Sequence, residues 1–398
     1  MSRHQRSPVA HRINGAGNKE LPSEKDIPLL ATLRANYEEA YQEWLTFPTV
    51  RHNREVNLAL HRVGNPHSDT VIVFIHGVLA DSSTFDYVAG AMDRRFDLWL
   101  IDLPGCGSSE KPKRKQLAAD GYSPTALADR VWQVIDQAIR HREQTQRPAR
   151  RVMLVAHSLG GTIAMRMFAD PELRSRHHRA RSRVNGMVLI SPCDVAVQAE
   201  IPVFRQIMEL NDPKAFTAKF LGLVRQASEQ ATCRGYHNPQ RATHESAENL
   251  CRILSEPSTR HAAQAMLRQA VPWQKEPSRP LWAEIDKLEA QYRNIDVPCL
   301  ILWGKWDETL PASMGHKLKN QIRGARLEVF KRVGHSVPTE APLMCVDSIC
   351  SMLGENAGYA GAANRVAMTM AGPSSGYSID PGQRSRNNNA VVASWIHE

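Results

Sequence analysis

The fold of this 398-residue chain is decided by the segment VMLVAHSLGG, residues 152–161. Its first five residues are apolar, as in a strand buried on both faces of a parallel sheet, and a helical pattern begins near Thr162. A serine in the tight turn between such a strand and a helix is typical of a nucleophile elbow. The turn requires small residues two positions before and after the serine; Ala156 and Gly160 meet this requirement, although glycine is more usual in the first place. We predict that Ser158 is a nucleophile; a serine that only caps the helix is the alternative.

Similar apolar runs recur along the chain. These runs, with one alternating segment that is typical of a half-buried strand, occupy residues 56–60, 71–75, 98–101, 187–190 and 300–303. Helical patterns lie between them, and the clearest spans residues 124–139 with Ser123 as its N-cap. Strands that alternate with helices predict a mostly parallel α/β sheet flanked by helices.

Stretches without this alternation divide the chain into predicted regions. One of them has only helical patterns and no convincing strand, and its length of about 100 residues is far too great for an ordinary connection, so we expect a helical cap. Polar or Gly-, Asn- and Ser-rich ends are predicted to be mostly disordered. The predicted boundaries are a disordered N-terminus over 1–27, an amphipathic helix over 28–47 within an N-terminal region of 28–53, a core over 54–193 and 294–354, the cap over 194–293 and a mostly disordered tail over 355–398.

The motif HGV, residues 76–78, directly follows the apolar run at 71–75. The backbone N–H of Val78, just after such a His-Gly pair, can point at the oxygen of a reacting carbonyl. The N–H of Leu159, at the start of the helix after Ser158, supplies a second donor. Two fixed donors would stabilise a developing oxyanion by about 3 kcal/mol each. Taken alone, HGV is better explained as a turn out of the strand.

Two further motifs supply an acid and a base. WGKWD, residues 303–307, places Asp307 just past a predicted strand, and VGHS, residues 333–336, does the same for His335. Ser, Asp and His then occur in the order expected of a Ser–Asp–His triad on this kind of sheet. The predicted cap is inserted before the strand that carries this acid. Asp194, which follows the preceding strand of the sheet, is the alternative acid.

With the loop DLPGCGSS, residues 102–109, these motifs make the chain resemble the α/β-hydrolase fold superfamily. The resemblance covers residues 54–354 and is to the cap-bearing branch that includes serine esterases, C–C bond hydrolases and cofactor-free perhydrolases. Dehalogenases and epoxide hydrolases of this fold carry Asp at the nucleophile position, so the resemblance disfavours both activities. It implies Ser158 as nucleophile, His335 as general base and then acid, Asp307 as the carboxylate that orients His335, and the backbone N–H groups of Val78 and Leu159 as the oxyanion hole.

The resemblance implies a serine hydrolase that forms an acyl-enzyme on a small organic ester, thioester, amide or activated C–C bond, with a carboxylic ester hydrolase favoured. An acyltransferase or a cofactor-free perhydrolase would use the same triad with another acyl acceptor. A non-catalytic ligand sensor is a third hypothesis, which the complete triad disfavours. The sequence contains no phosphate loop, dinucleotide fingerprint or metal-ligand cluster, so we expect no cofactor, no metal and a small-molecule substrate.

Composition is that of an ordinary globular protein, with 42% hydrophobic and 23% charged residues. The seven cysteines are scattered and include no CxxC pair, which favours free thiols in a reducing compartment over disulfides. The polar N-terminus lacks the apolar core of a secretory signal. No stretch approaches the roughly 18 apolar residues of a membrane helix. We therefore expect a cytoplasmic protein without a transmembrane segment.

The net charge of +9 is concentrated in one stretch. Residues 140–183 contain eleven arginines, no lysine and three acids, and so account for +8 of it. Most of these arginines lie in loops that lead from a helix into a strand, at the edge of the sheet opposite the predicted site. We expect no nucleic-acid partner. A solvated arginine-rich edge is the simpler interpretation, and docking of an anionic partner is the alternative.

Overall fold

A computed structural model describes residues 21–92, 94–112, 120–145, 148–200, 224–274 and 278–355 of the chain. Its strands are β1 Gln42–Arg51, β2 Arg54–Gly64, β3 Thr70–Ile75, β4 Asp97–Ile101, β5 Arg151–His157, β6 Val184–Ile190, β7 Trp273–Gln274, β8 Arg279–Pro280, β9 Cys299–Gly304 and β10 Arg326–Phe330. Its α-helices are α1 Pro28–Glu38, α2 Asp86–Ala91, α3 Pro124–Thr145, α4 Leu159–Ala169, α5 Pro171–Arg176, α6 His178–Arg181, α7 Val195–Glu200, α8 Val224–Arg234, α9 His244–Ser255, α10 Pro257–Gln269, α11 Trp282–Ala290, α12 Ser313–Gln321, α13 Val337–Glu340 and α14 Pro342–Met352. Short 3-10 helices span Glu24–Asp26, Ser82–Phe85, Pro239–Arg241 and Gln291–Asn294.

Eight strands form one sheet in the order β1-β2-β4-β3-β5-β6-β9-β10. Strand β2 is antiparallel to β1 and to β4, and the other neighbouring pairs are parallel. Every run that the sequence marks as a strand lies in this sheet, so the mostly parallel α/β architecture is confirmed. Helix α3 extends beyond its predicted end, and its predicted N-cap, Ser123, accepts the N–H of Ala126 at 3.2 Å.

Helices cover both faces of the sheet, which explains why its central strands are apolar throughout. In β5, Val152, Leu154 and Ala156 belong to the apolar cluster that contains side chains of α3 and α4. Met153 and Val155 belong to the cluster on the other face, which contains side chains of α1, α2 and α14. The C-terminal ends of the parallel strands share one edge, so the loops after β3, β5, β6, β9 and β10 lie near one another.

The prediction of one helix over residues 28–47 is wrong beyond Glu38. Helix α1 ends there, and the following residues form β1, the edge strand of the sheet. Phe47 and Thr49 are buried while their neighbours along β1 are exposed, and Trp44 is exposed on the same strand. The spacing of aromatic residues after the helix happens to match a helical period, whereas the alternation near the end of the stretch is the strand signal.

The predicted disorder of the N-terminus is wrong for residues 21–27, which are ordered against the rest of the protein. The carboxylate of Glu24 is buried and contacts Arg34 at 3.1 Å. Ser23 Oγ and the Glu24 N–H donate to Glu245, on α9, at 2.6 and 2.9 Å. Contacts of this kind join residues far apart in sequence, so local composition does not predict them.

Several predicted segments lie partly or wholly outside the described residues. These are residues 1–20 of the N-terminus that is predicted to be disordered, the predicted tail beyond 355, and residues 201–223 and 275–277 of the predicted cap. The interval from 194 to 293, which we refer to as the insertion, contains α7 to α11 in its described part. It also contains the two-residue strands β7 and β8, which corrects the expectation of no strand there.

The arginines of the stretch 140–183 are largely ion-paired. Arg142 is buried and contacts the buried carboxylate of Asp97. Other partners of this stretch from outside it are Asp69, Asp129, Asp136, Asp296 and Glu355. The net charge of +8 counted over residues 140–183 omits these acids, so it overstates the charge of the stretch that remains unpaired. The contacts favour a structural role for the arginines over docking of an anionic partner.

Candidate active site

Ser158 occupies the turn between β5 and α4. Its backbone has φ 55° and ψ −122°, a region that residues other than glycine rarely adopt. The N–H of Ser158 donates to the carbonyl of Ile190 on β6 at 2.9 Å, which holds the turn against the sheet. This is the tight strand-to-helix turn that the sequence predicts, at the C-terminal edge of the sheet.

Two glycines permit this turn to sit against β3. A Cβ on Gly160 would lie 2.3 Å from the carbonyl oxygen of Ile75, so any side chain there would displace the backbone. A Cβ on Gly77 would lie 2.9 Å from Cβ of Ser158. A small residue is required two positions after the serine because two backbone segments approach each other closely there.

The structure brings the three predicted side chains together. His335 Nε2 lies 3.1 Å from Ser158 Oγ, and His335 Nδ1 lies 2.8 Å from Asp307 Oδ2. The alternative acid, Asp194, instead pairs through Oδ1 with Nζ of Lys317 at 3.1 Å. The geometry therefore favours Asp307 over Asp194 as the partner of the histidine.

The carboxylate of Asp307 is fixed by more than the histidine. Its Oδ1 accepts the backbone N–H groups of Thr309 and Leu310 at 2.9 and 2.8 Å. The Leu310 carbonyl in turn accepts the indole N–H of Trp303, at the end of β9, at 3.1 Å. One carboxylate oxygen is thus committed to the loop, and the other remains for His335.

The two predicted oxyanion donors lie beside Ser158. Val78 and Leu159 both line the cleft that contains the Ser158 side chain. Leu159 is the first residue of α4, so its N–H has no acceptor inside the helix. His76 has a separate structural contact, because its Nε2 accepts the N–H of Leu103 at 3.0 Å and so links the loops after β3 and β4.

Sequence reasoning assigned no role to His157, the residue before Ser158. Its Nε2 lies 3.0 Å from the backbone oxygen of His335, and the two ring centroids are 5.0 Å apart. Burial, with a smaller effect from the charge of His335, lowers the pKa of His157 to about 3. The ring is therefore neutral near pH 7, and its Nε2–H donates to the backbone carbonyl of His335.

Cys193 lies next to Ser158 but differs from it chemically. The Cys193 Sγ is 3.9 Å from Ser158 Oγ, and the side chain is buried. Burial raises the pKa of Cys193 to about 12, so the group stays a thiol near pH 7 and is a poor nucleophile. It forms part of the wall around the serine.

Glu340 is a buried carboxylate that sequence reasoning also left without a role. Its Oε2 accepts the N–H groups of Gly334 and His237 at 2.7 and 3.0 Å, and its Oε1 accepts that of Asn238 at 2.9 Å. Burial raises the pKa of Glu340, although the three N–H donors oppose this shift. The carboxylate joins the loop of His335 to the insertion. Its place in the first helix after that loop is the signal that could have found it.

Glu340→Gln should lower kcat roughly 10- to 100-fold with little change in KM, because the loop of His335 loses its anchor. An amide has one acceptor oxygen and turns its NH2 toward backbone N–H groups. The matched control is Glu308→Gln, at an exposed carboxylate of the Asp307 loop, which should retain full activity. Ester hydrolysis and thermal unfolding should be measured together. A lower melting temperature with unchanged kcat would contradict the positioning role.

Ser158 and His335 line a cleft of about 660 Å³. The insertion supplies part of its wall, through Ala231, Thr232, Ser246, Asn249, Leu250 and Leu267. Two arginines that line it are ion-paired: Arg34 contacts Asp86 at 2.5 Å, and Arg252 contacts Asp81 at 2.7 Å. These pairs neutralise the two arginines of the cleft.

The described residues hold no group of three or more His, Cys, Asp or Glu side chains that could bind a metal ion. In the same part of the chain, no helix is both long enough and apolar enough to cross a membrane. All seven cysteines lie in the described ranges, and no disulfide joins them.

The sheet and the loops at its strand ends are typical of one class of hydrolases. Comparison with known proteins identifies the same class. The model of the alpha/beta hydrolase family matches residues 72–347, which is more than half of the chain. The chain belongs to the α/β-hydrolase family and is a hydrolase of that superfamily.

Curated relatives are distant. An uncharacterized protein of Mycobacterium tuberculosis is 28% identical over 296 residues, covering 71% of this chain and 74% of that protein. Monoacylglycerol lipase ABHD6 of Homo sapiens is 21% identical over 297 residues, covering 73% of this chain and 77% of the lipase.

Solved structures are similar in fold. A 2-hydroxy-6-oxo-6-phenylhexa-2,4-dienoate hydrolase from Rhodococcus has a TM-score of 0.59 at 16% identity, covering 79% of this chain and 99% of that one. A thermophilic esterase from Thermogutta terrifontis has a TM-score of 0.55 at 20% identity, covering 78% of this chain and 98% of the esterase. At such identities the likeness concerns the fold alone.

Proposed function

We propose that the protein is a serine hydrolase that cleaves an uncharged carboxylic ester through an acyl-enzyme. The observation that carries this proposal is the chain of contacts from Ser158 Oγ to His335 Nε2 and from His335 Nδ1 to Asp307 Oδ2, at 3.1 and 2.8 Å, in which Ser158 and His335 line a cleft. A serine hydroxyl is a weak nucleophile until an adjacent base takes its proton, and this arrangement supplies that base.

In the first half of the reaction, His335 Nε2 removes the proton from Ser158 Oγ as the oxygen attacks the ester carbonyl. The C–O bond to the serine forms, and the carbonyl oxygen becomes an oxyanion. The backbone N–H groups of Val78 and Leu159 would donate to it, a contribution of about 3 kcal/mol for each donor. Asp307 stabilises the imidazolium and keeps its Nδ1–H directed at the carboxylate.

The oxyanion then collapses, the ester C–O bond breaks, and His335 gives its proton to the departing alcohol. In the second half, His335 removes a proton from water, which attacks the acyl-enzyme carbonyl. The C–O bond to Ser158 then breaks, His335 returns its proton to Ser158 Oγ, and the carboxylic acid is released. His157 and Glu340 hold the His335 loop through both halves, because they contact the main chain of that loop.

The cleft supports a neutral substrate. Its arginines are compensated by neighbouring carboxylates, so a charged substrate would find no unpaired partner among them. Helices α8, α9 and α10 contribute to its wall, and we infer that the insertion is a cap over the site. One group of relatives is named monoacylglycerol lipase, which is consistent with a neutral ester as substrate.

The test combines labelling with a substrate series. A fluorophosphonate probe should label the protein at Ser158, and p-nitrophenyl esters of increasing acyl length should reveal the preferred chain. Reactions with added alcohol, thiol or peroxide would identify the acyl acceptor by product analysis. A folded protein that neither reacts with the probe nor hydrolyses any ester would contradict the proposal.

A further inference from the structure

The loops after β9 and β10 form an exposed surface with one tryptophan and several cations. Trp306 is 52% exposed. Lys305, Lys331 and Arg332 are exposed beside it, and Arg234, at the end of α8, is exposed next to the same loops. We refer to these five residues as the Trp306 patch.

Close contacts hold the members of the patch together. The N–H of Lys305 donates to the carbonyl of Phe330 at 2.8 Å, and the N–H of Trp306 donates to that of Val333 at 3.0 Å. The Trp306 ring stacks on His237, which follows α8, with centroids 5.4 Å apart and planes 20° apart. Residues from three distant segments of the chain therefore share one surface.

The described residues do not neutralise the cations of the patch. Within the described part of the chain, Lys305, Lys331, Arg332 and Arg234 make neither an ion pair nor a side-chain hydrogen bond. Glu308 is an exposed carboxylate in the same loop. Four exposed positive side chains against this one exposed carboxylate leave the surface of the patch with a net positive charge.

The opposite edge of the sheet differs in this respect. Arg179 and Arg183 share Glu143 at 2.8 and 3.0 Å, and Arg174 contacts Asp296 at 3.0 Å. The formal charge of the chain is concentrated in that stretch, but most of its described arginines are already paired. The charge that a partner could use lies beside the cleft instead.

We propose that the Trp306 patch docks the protein on a lipid surface that carries negative charge. An indole is apolar on its face and polar at its N–H, so it favours the boundary of lipid and water, and neighbouring Lys and Arg are attracted to anionic headgroups. Thr309 and Ser336, from the same two loops, line the cleft. A docked molecule would therefore present its cleft to the lipid.

A soluble polyanion would be attracted by the same cations, but the exposed indole favours lipid. Burying Trp306 in the interface adds an apolar contribution that salt does not screen, whereas the attraction of surface charges weakens as salt rises. The two kinds of partner should thus differ in salt dependence. Docking itself requires no chemistry at Ser158. Only the benefit of docking, access of the cleft to lipid esters, rests on the proposed ester hydrolysis.

The full-length protein should be tested by co-sedimentation with phosphatidylcholine vesicles with and without about 30% phosphatidylserine at low salt. We expect binding to the vesicles that contain phosphatidylserine. Lys331→Gln/Arg332→Gln should lower the partition coefficient roughly 30-fold, since each cation near an anionic surface contributes about fivefold. Trp306→Ala should abolish the binding that persists at higher salt. Ser158→Ala should bind like the parent protein, which separates docking from catalysis.

The matched control is Arg179→Gln/Arg183→Gln, which removes the same charge at the opposite edge and should leave binding within about twofold. Three results would overturn the proposal. The first is that the protein binds anionic vesicles no better than neutral vesicles. The second is that the control variant weakens binding as much as the patch variant does. The third is that heparin binds the patch while vesicles do not. The last result would identify a soluble polyanion as the partner.

Discussion

Ser158→Ala should reduce kcat/KM for ester hydrolysis by roughly 10,000-fold or more, because it removes the hydroxyl that contacts His335 Nε2. The neighbouring thiol of Cys193 cannot replace it, since burial keeps that group protonated. The substitution removes one oxygen from a buried position, so the fold should persist. Hydrolysis of p-nitrophenyl esters, fluorophosphonate labelling and circular dichroism together measure the effect.

The matched control for this variant is Ser246→Ala, which removes a second serine hydroxyl that lines the same cleft. It should retain probe labelling and most of the activity. Labelling that persists in Ser158→Ala and disappears in Ser246→Ala would show that Ser246, rather than Ser158, is the nucleophile. Ester hydrolysis by Ser158→Ala at a rate near that of the parent protein would exclude a covalent route through Ser158.

Asp307→Asn should lower kcat by roughly 10,000-fold, because an amide facing Nδ1 stabilises the wrong tautomer of the histidine and does not stabilise the imidazolium. The comparison variant is Asp194→Asn, at the alternative acid. Asp194 contacts Lys317 rather than His335, so its substitution should leave kcat within about tenfold and mainly lower the melting temperature.

The pair of variants decides between the two acids in one experiment. Steady-state kinetics and thermal unfolding should be measured for both under the same conditions. A severe loss of kcat in Asp194→Asn with an active Asp307→Asn would assign the acid to the loop after β6. Equal and modest losses in both would mean that neither carboxylate orients the histidine.

The central sheet was predictable from the sequence because its strands are buried on both faces. Val152 to Ala156 form an apolar run for that reason, and the motif that follows fixes the turn at Ser158. Strand β1 was missed because it is an edge strand with one exposed face, and its aromatic residues happen to extend the helical spacing of α1.

The supports of the site were much harder to predict than its reacting groups. Ser158, Asp307 and His335 follow strands in a recognisable order, whereas Glu340 acquires its role only through contacts with Gly334 and residues of the insertion. The same holds for the arginine-rich stretch, where carboxylates from outside it decide how much charge remains free. Long-range pairing is invisible to composition and local spacing.

The N-terminal segment has a practical consequence for anyone who shortens this protein. Ser23 and Glu24 bind Glu245 on α9, and Glu245 itself lines the cleft. Two residues near the start of the chain therefore help to set the dimensions of the space in which substrate would lie. A chain begun after residue 27 would lack these contacts, and we expect its substrate preference to differ from that of a chain that keeps them.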